Sequence, residues 1–436
     1  MRRWMLALLL GWFSGSYAQS LLTAEESVAL ALRSNYDILL VRNDSTAYAL
    51  DYTYANYAFL PRFNGAINKI WNNNHQKQEL SDGTKRERKG IKSNNLVSSV
   101  NLNWTIFDGL KMFATRNKLA EFQKLGEYSV RNQVVTTVAS TLTTYFNIVR
   151  QQQQLRAIEE QMSINEERVK IADRKFSVGL GSKPELLQAR VDLNAQKAAQ
   201  LQQQTLIIQL KEQLNQLSGQ PTGKYFEVTD SIPIDLDINL GLISTDLETT
   251  NPTLQVALKN IDIANLTLKE RRAERWPTIS FNSAYNFSNS NNQAVINTFT
   301  PLFNQNKGYN FGFSASVPIL NGFNTRRLIK QAELDIQYQH LFFENQRSLI
   351  NTGISNAFKD YEYQKRALIL EEENIQLAKE NVAIALERFR QGVSTNLELR
   401  EAQISLQVAY NRLIAARYNT KLAEIELLRL KGDIIR

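Results

Sequence analysis

Phe176-Ser177-Val178-Gly179-Leu180-Gly181-Ser182-Lys183-Pro184-Glu185-Leu186-Leu187-Gln188-Ala189 returns 213 positions later as Phe389-Arg390-Gln391-Gly392-Val393-Ser394-Thr395-Asn396-Leu397-Glu398-Leu399-Arg400-Glu401-Ala402. The same offset pairs Gly109 with Gly322 and Leu217-Ser218-Gly219 with Leu430-Lys431-Gly432. Upstream the offset becomes 216, matching Asn35 to Asn251 and Leu60-Pro61 to Trp276-Pro277. Self-similarity at a fixed spacing marks a repeated structural unit. The sequence therefore reads as a tandem duplication, with residues 19–218 and 246–436 as the copies and 219–245 joining them. The three-residue change in offset falls between Pro61 and Gly109.

Each copy presents the same order of signals. In the first, Thr23-Ala24-Glu25-Glu26 is a capping box that opens a helix running towards Pro61. A strand is expected from Arg62 to Trp71, a polar loop from Asn72 to Asn95, and a second strand from Leu96 to Phe107. Helical pattern then runs from Lys111 to Val178 with no Pro and only Gly126 to interrupt it. Such a helix spans on the order of 100 Å. Gly179 and Gly181 stop it, and another helix covers Pro184 to Leu217. The second copy predicts a helix over Asp246–Arg275, strands over Thr278–Ser288 and Tyr309–Leu320, a long helix to Arg390, and a last one over Asn396–Lys431.

Tyr309-Asn310-Phe311-Gly312-Phe313-Ser314-Ala315-Ser316-Val317 alternates apolar with small or polar residues, as does Val100-Asn101-Leu102-Asn103-Trp104-Thr105-Ile106. A sheet packed on a core alternates in the same way. Here the polar side is Asn and Ser rather than charged, and each strand is about ten residues, the length a tilted membrane strand needs. Lipid outside and water inside suit that pattern. Four strands cannot close a barrel, and open edges cannot face lipid, so membrane strands require several copies of the chain. Two copies give about 8 strands, too narrow for an open pore, and three give about 12.

Leu399, Ala402, Leu406, Ala409, Leu413, Ala416, Thr420, Ala423, Leu427 and Leu430 follow a 3-4 spacing in which Leu alternates with Ala as far as Ala416 and only Thr420 is not apolar. Small seam positions let a neighbouring helix approach closely, as in a tight antiparallel coiled coil. The first copy begins alike with Leu186, Ala189 and Leu193. Gln196, Gln200 and Gln203 then occupy the seam before Ile207, Leu210, Leu214 and Leu217 resume it. Helices this long that bury only a narrow stripe pair laterally and do not build a globule.

The 436 residues are 43% hydrophobic and 22% charged, with 18 Gly, 8 Pro and no Cys. Disulfide, thiolate and Cys-zinc chemistry are thereby excluded. His75 and His340, the only histidines, form no ligand cluster. Residues 1–18 read as a signal peptide: Arg2-Arg3, an apolar stretch from Trp4 to Phe13, and Ser16-Tyr17-Ala18 before Gln19. No later stretch approaches the ~18 apolar residues of a membrane helix. The formal charge of +8 comes from basic residues interleaved with Glu and Gln. The one dense run, Lys85-Arg86-Glu87-Arg88-Lys89, is assigned to the polar loop and points to lipid head groups rather than nucleic acid. Gly179-Leu180-Gly181-Ser182-Lys183 lacks the preceding strand and the spacing of a phosphate loop. No catalytic, cofactor or metal constellation is present in the sequence, and an enzyme is not expected.

Over essentially its whole mature length the chain resembles the TolC-type outer-membrane efflux proteins. The duplicated halves carry the likeness, together with the paired helix turns quoted at the outset. The strand-to-helix turns Ile106-Phe107-Asp108-Gly109 and Ile319-Leu320-Asn321-Gly322 carry it as well. The resemblance implies an α+β membrane protein, a homotrimer whose 12-stranded β-barrel takes four strands from each chain and continues into an antiparallel α-helical coiled-coil barrel. It also implies a duct in the cell outer membrane and periplasm, docked to a periplasmic membrane-fusion adaptor and an inner-membrane pump of the resistance-nodulation-division or ABC type. Drug or metal efflux and protein secretion are both compatible with this. In the family, the periplasmic turns carry acidic gate residues. Glu398 and Glu401 hold those positions here, and Glu185 is the first-copy equivalent of Glu398. Phe176, Gly179, Phe389 and Gly392 mark the adaptor-docking tips. Thr395-Asn396-Leu397-Glu398 and Ser182-Lys183-Pro184-Glu185 are also capping boxes, which gives Glu398 and Glu185 a second, structural role. The competing reading of the whole chain is a periplasmic coiled-coil structural or adaptor protein.

Overall fold

A computed structural model describes residues 21–238, 241, 246–297 and 299–434. The expected signal peptide, residues 1–18, lies outside them, as does part of the joining segment. The chain divides into two compact units. One comprises the chain up to Asp44, Glu127–Val256 and the residues from Glu344 onward; the other comprises Ser45–Gly126 and Ala257–Phe343.

In the first unit, β1 (Leu21–Leu22) leads into α1 (Ala24–Ser34). Thr23 Oγ1 accepts the Glu26 N–H and Glu26 Oε2 accepts the Thr23 N–H, both at 3.1 Å, so the expected capping box is closed. The helix does not run unbroken to Pro61. It stops at Asn35, and α2 (Tyr36–Ala55) begins there. Asn35 Oδ1 accepts the Ile38 N–H at 3.1 Å, while Nδ2 donates to Leu217 O at 2.9 Å. An Asn side chain competes for backbone partners and so favours a cap over a helix interior. Asn251 does the same between α5 (Leu247–Thr250) and α6 (Pro252–Ala273), which divide the helix expected over Asp246–Arg275. Its Oδ1 accepts Thr253 N–H at 2.8 Å, and its Nδ2 donates to Leu430 O at 2.7 Å. A left-handed glycine faces each break. A Cβ on Gly219 (φ 61°) would lie 2.2 Å from Ser34 O, and one on Gly432 (φ 82°) 2.6 Å from Thr250 O.

Two helices of 67 residues, α3 (Lys111–Ser177) and α7 (Asn324–Arg390), each pair with a shorter one, α4 (Lys183–Leu217) and α8 (Asn396–Lys431). All ten residues of the predicted α8 seam are buried. Leu368, Ile375, Ala378 and Val382 of α7 pack against its Ala402–Ala416 portion. On α4, Leu186 and Ala189 pack with Ala172, and Leu214 joins Tyr145, Phe146, Val149 and Ile425. The glutamines between them are half-buried; Gln203 Nε2 donates to both Gln151 oxygens, at 2.9 and 2.8 Å. β4 (Glu227–Val228) pairs in parallel with β1, and Tyr145 O–H anchors this pair by donating to Leu22 O at 2.8 Å.

The second unit contains a four-stranded antiparallel sheet in the order β2-β3-β5-β6. Its strands are Arg62–Glu79, Lys85–Phe107, Thr278–Asn292 and Phe303–Ser316. The expected polar loop over 72–95 is strand: β2 and β3 pair from Arg62↔Asn103 to Glu79↔Lys85 and leave only residues 80–84 as a turn. Backbone pairing does not need an apolar face. Where both faces are polar, the period-two signal disappears although the ladder continues. The Lys85–Lys89 run thus lies in β3, where Lys85–Glu79 (3.5 Å), Lys77–Glu87 (3.6 Å) and His75–Glu87 (3.0 Å) bridge the strands. β6 ends at Ser316, short of the expected Leu320, where Pro318 has no N–H to continue a ladder. Both strand-to-helix turns place two successive residues at positive φ, Gly109-Leu110 and Gly322-Phe323.

Candidate functional site

The α3–α4 and α7–α8 turns are built alike. Leu180 N–H donates to Lys175 O at 2.8 Å and Gly179 N–H to Phe176 O at 3.1 Å; Val393 N–H donates to Arg388 O at 3.0 Å and Gly392 N–H to Phe389 O at 3.2 Å. Gly179 (φ 78°) and Gly392 (φ 75°) take the left-handed conformation that ends a helix at low cost. Ser182 N–H donates to Glu185 Oε2 at 3.4 Å, which places Glu185 in a cap. Thr395 Oγ1 accepts the Glu398 N–H at 3.3 Å, but no bond returns from the carboxylate to Thr395 N, so the expected box is only half made. Among the described residues, the exposed Glu398 and Glu401 carboxylates have neither an ion pair nor a hydrogen-bond partner.

The two turns differ in packing. Phe389 is buried: Lys175 Nζ donates to its carbonyl at 3.1 Å and lies 4.1 Å from its ring centroid. Phe176 is 42% exposed. Val178, Leu180, Val393 and Leu397 at the turns are more exposed still.

Behind the turns, polar links join the first hairpin to the second. Arg168 of α3, only 1% exposed, forms an ion pair with Asp192 of α4 and donates through a terminal nitrogen to Gln403 Oε1 of α8 at 2.9 Å. Arg400 Nε lies 3.7 Å from the same aspartate. Tyr410 O–H donates to Glu160; burial, reinforced by that carboxylate, pushes the phenol pKa upward. No periodicity in the sequence singles these residues out.

The sheet has two chemically distinct faces. Cross-strand partners share a face, and the rows Trp104–Phe281–Phe313 and Val100–Tyr285–Tyr309 place aromatics together. Phe63, Ile67 and Trp71 continue that face on β2. The other face carries Asn103–Asn282–Gly312, Asn101–Ala284–Asn310 and Ser99–Asn286–Gly308. On β6 the aromatic face carries Phe313, Phe311 and Tyr309 in succession, then Lys307 and Gln305, then Phe303. The outer strands β2 and β6 each keep one unpaired edge. No described helix is long and apolar enough to cross a membrane.

Residues 28–220 and 243–433 match the sequence profile of the outer membrane efflux proteins. The chain belongs to that family. As an outer membrane efflux protein it is a channel component and not an enzyme, and its place is the outer membrane with a periplasmic helical domain. It is 22% identical over 435 residues to the alkaline protease secretion protein AprF of Pseudomonas aeruginosa, covering 94% of this chain and 86% of that one. It is likewise 22% identical over 361 residues to the outer membrane protein TolC of Escherichia coli, covering 80% and 72%. The Campylobacter jejuni CmeC outer membrane channel shares its fold with a TM-score of 0.78 at 18% identity, covering 94% of this chain and 86% of that one.

Proposed function

We propose that this outer membrane efflux protein is the exit duct of a tripartite efflux or type I secretion system, passing substrate from an inner-membrane pump across the periplasm and outer membrane. One observation carries the reading: a sheet apolar on one face, polar on the other, and open at both edges. Such a sheet is stable in lipid only when its edges are closed by other copies. Three chains close a barrel of about 12 strands, wide enough for a water-filled lumen. The family match over 28–220 and again over 243–433 supports two duplicated units, 19–218 and 246–436, joined by 219–245. The partners are a periplasmic membrane-fusion adaptor, docking at the exposed turn residues around Phe176, Gly179 and Gly392, and a resistance-nodulation-division or ABC-type pump. Glu401, with Glu398, lines the periplasmic mouth as a ring of carboxylates, and Glu185 caps its helix.

The mass of the detergent-extracted protein tests this. A trimer in the membrane fraction is the expected result. A monomer released without detergent would instead identify a periplasmic rod or adaptor.

A further inference from the structure

The rim of the sheet's apolar face has a charge pattern that conduction through a lumen does not use. Residues 62–78, 88–107 and 278–316 contain no Asp or Glu, whereas their charged side chains include Lys69, Lys92 and Lys307. The pairings put all three lysines on the aromatic face. Lys69 pairs with Leu96 two residues before Trp71, Lys92 pairs with Asn73 two residues beyond it, and Lys307 pairs with Phe287. Lys69 Nζ lies 5.0 Å from the Trp71 ring centroid and Lys307 Nζ 5.6 Å from that of Phe287. All three residues are exposed, and none has an ion-pair partner among the described residues. Higher on the same hairpin, Lys77 and Lys85 are bridged to Glu87 and Glu79. Lys77 and Lys85 thus have partners within the sheet, whereas Lys69, Lys92 and Lys307, where the aromatic face passes from continuous apolar to mixed residues, have none among the described residues.

We propose that Lys69, Lys92 and Lys307 form a binding rim for phosphate-bearing lipid head groups of the outer leaflet. Amphipathic lysines lay their methylenes along apolar surface and lift the ammonium to the head-group level, where anionic phosphate supplies the missing counter-charge. Lys69 and Lys307 sit on the two edge strands, so closure of the barrel by copies of the chain brings lysines from two copies to each seam. A phosphorylated lipid there offsets their mutual repulsion and holds the seam. The inference rests on the duct reading above.

The test uses the full-length detergent-extracted protein, with its mass measured first. Bisphosphorylated lipid A, the same glycolipid stripped of phosphate, and inorganic phosphate are then titrated against it, followed by lipid binding and by thermal stability of the oligomer. Preference for the phosphorylated glycolipid is expected. The triple variant Lys69→Gln, Lys92→Gln, Lys307→Gln should weaken that binding about a hundredfold. The corresponding Arg variant should retain it, and Lys77→Gln with Lys85→Gln should leave it unchanged. A trimer that binds the phosphorylated and phosphate-free glycolipids equally, or whose Gln variant binds as well as the wild type, overturns the lysine rim and leaves the duct intact. Saturation by inorganic phosphate alone overturns the assignment to lipid. A monomer overturns both readings.

Discussion

Arg168 has a guanidinium almost wholly out of solvent; its charge is compensated by Asp192 from one neighbouring helix, and Gln403 from another accepts one of its N–H groups. Burying such a pair contributes little net stability, but breaking it leaves an uncompensated charge inside the bundle. Asp192→Asn should therefore destabilise the protein by about 3 kcal/mol, read as a lowered midpoint of thermal or urea unfolding. An unchanged midpoint would mean that the Gln403 contact suffices to hold the charge. The sequence offered no route to this site: Arg168 and Asp192 sit among many charged residues on long helices, and partner choice depends on how three helices rotate against one another. The motif-based residues divide in a related way. Gly179 and Gly392 were readable because a left-handed helix stop strongly favours glycine. The burial of Phe389 beneath Lys175 and the exposure of Phe176 follow from tertiary packing, which two copies of one motif cannot distinguish.

The last helix was the most readable element. Its 3-4 pattern of Leu and Ala, with one Thr, predicted ten seam positions, and all ten are buried. Ala409 and Ala416 lie where α7 comes close. Ala→Leu at either site should overpack the seam at about 1–3 kcal/mol each, lowering the unfolding midpoint. Val408→Leu, on a more exposed face of the same helix, is the control expected to show little change. The first helices were less readable because their hydrophobic pattern continues past Asn35 and Asn251, while the break depends on what those side chains bond to. The hairpin of β2 and β3 was under-read for a different reason. Its distal half is polar on both faces, and the pairing that defines it is carried by backbone groups that every residue shares.

For the whole molecule, the duct reading makes a prediction about ions. A ring of Glu401 carboxylates in a narrow mouth attracts cations and repels anions. Glu401→Gln should lower cation selectivity and block by multivalent cations in planar-bilayer recordings. Glu398→Gln should act mainly on the start of α8, through the loss of a negative charge at the helix N-terminus, at about 0.5 kcal/mol. A selectivity change with Glu398→Gln alone would exchange the two roles. The open sheet edges hold a further consequence, for the order of events in folding. Val100 pairs with Tyr285, far apart in sequence, whereas the helices are made of contacts within a few residues. Closing so long a loop is entropically costly and slow, while helices form on the microsecond scale. Refolding into micelles should therefore show the helical circular dichroism signal well before barrel closure. Under the duct reading β2 and β6 are satisfied by other copies of the chain, so the last phase should accelerate with protein concentration while the first does not.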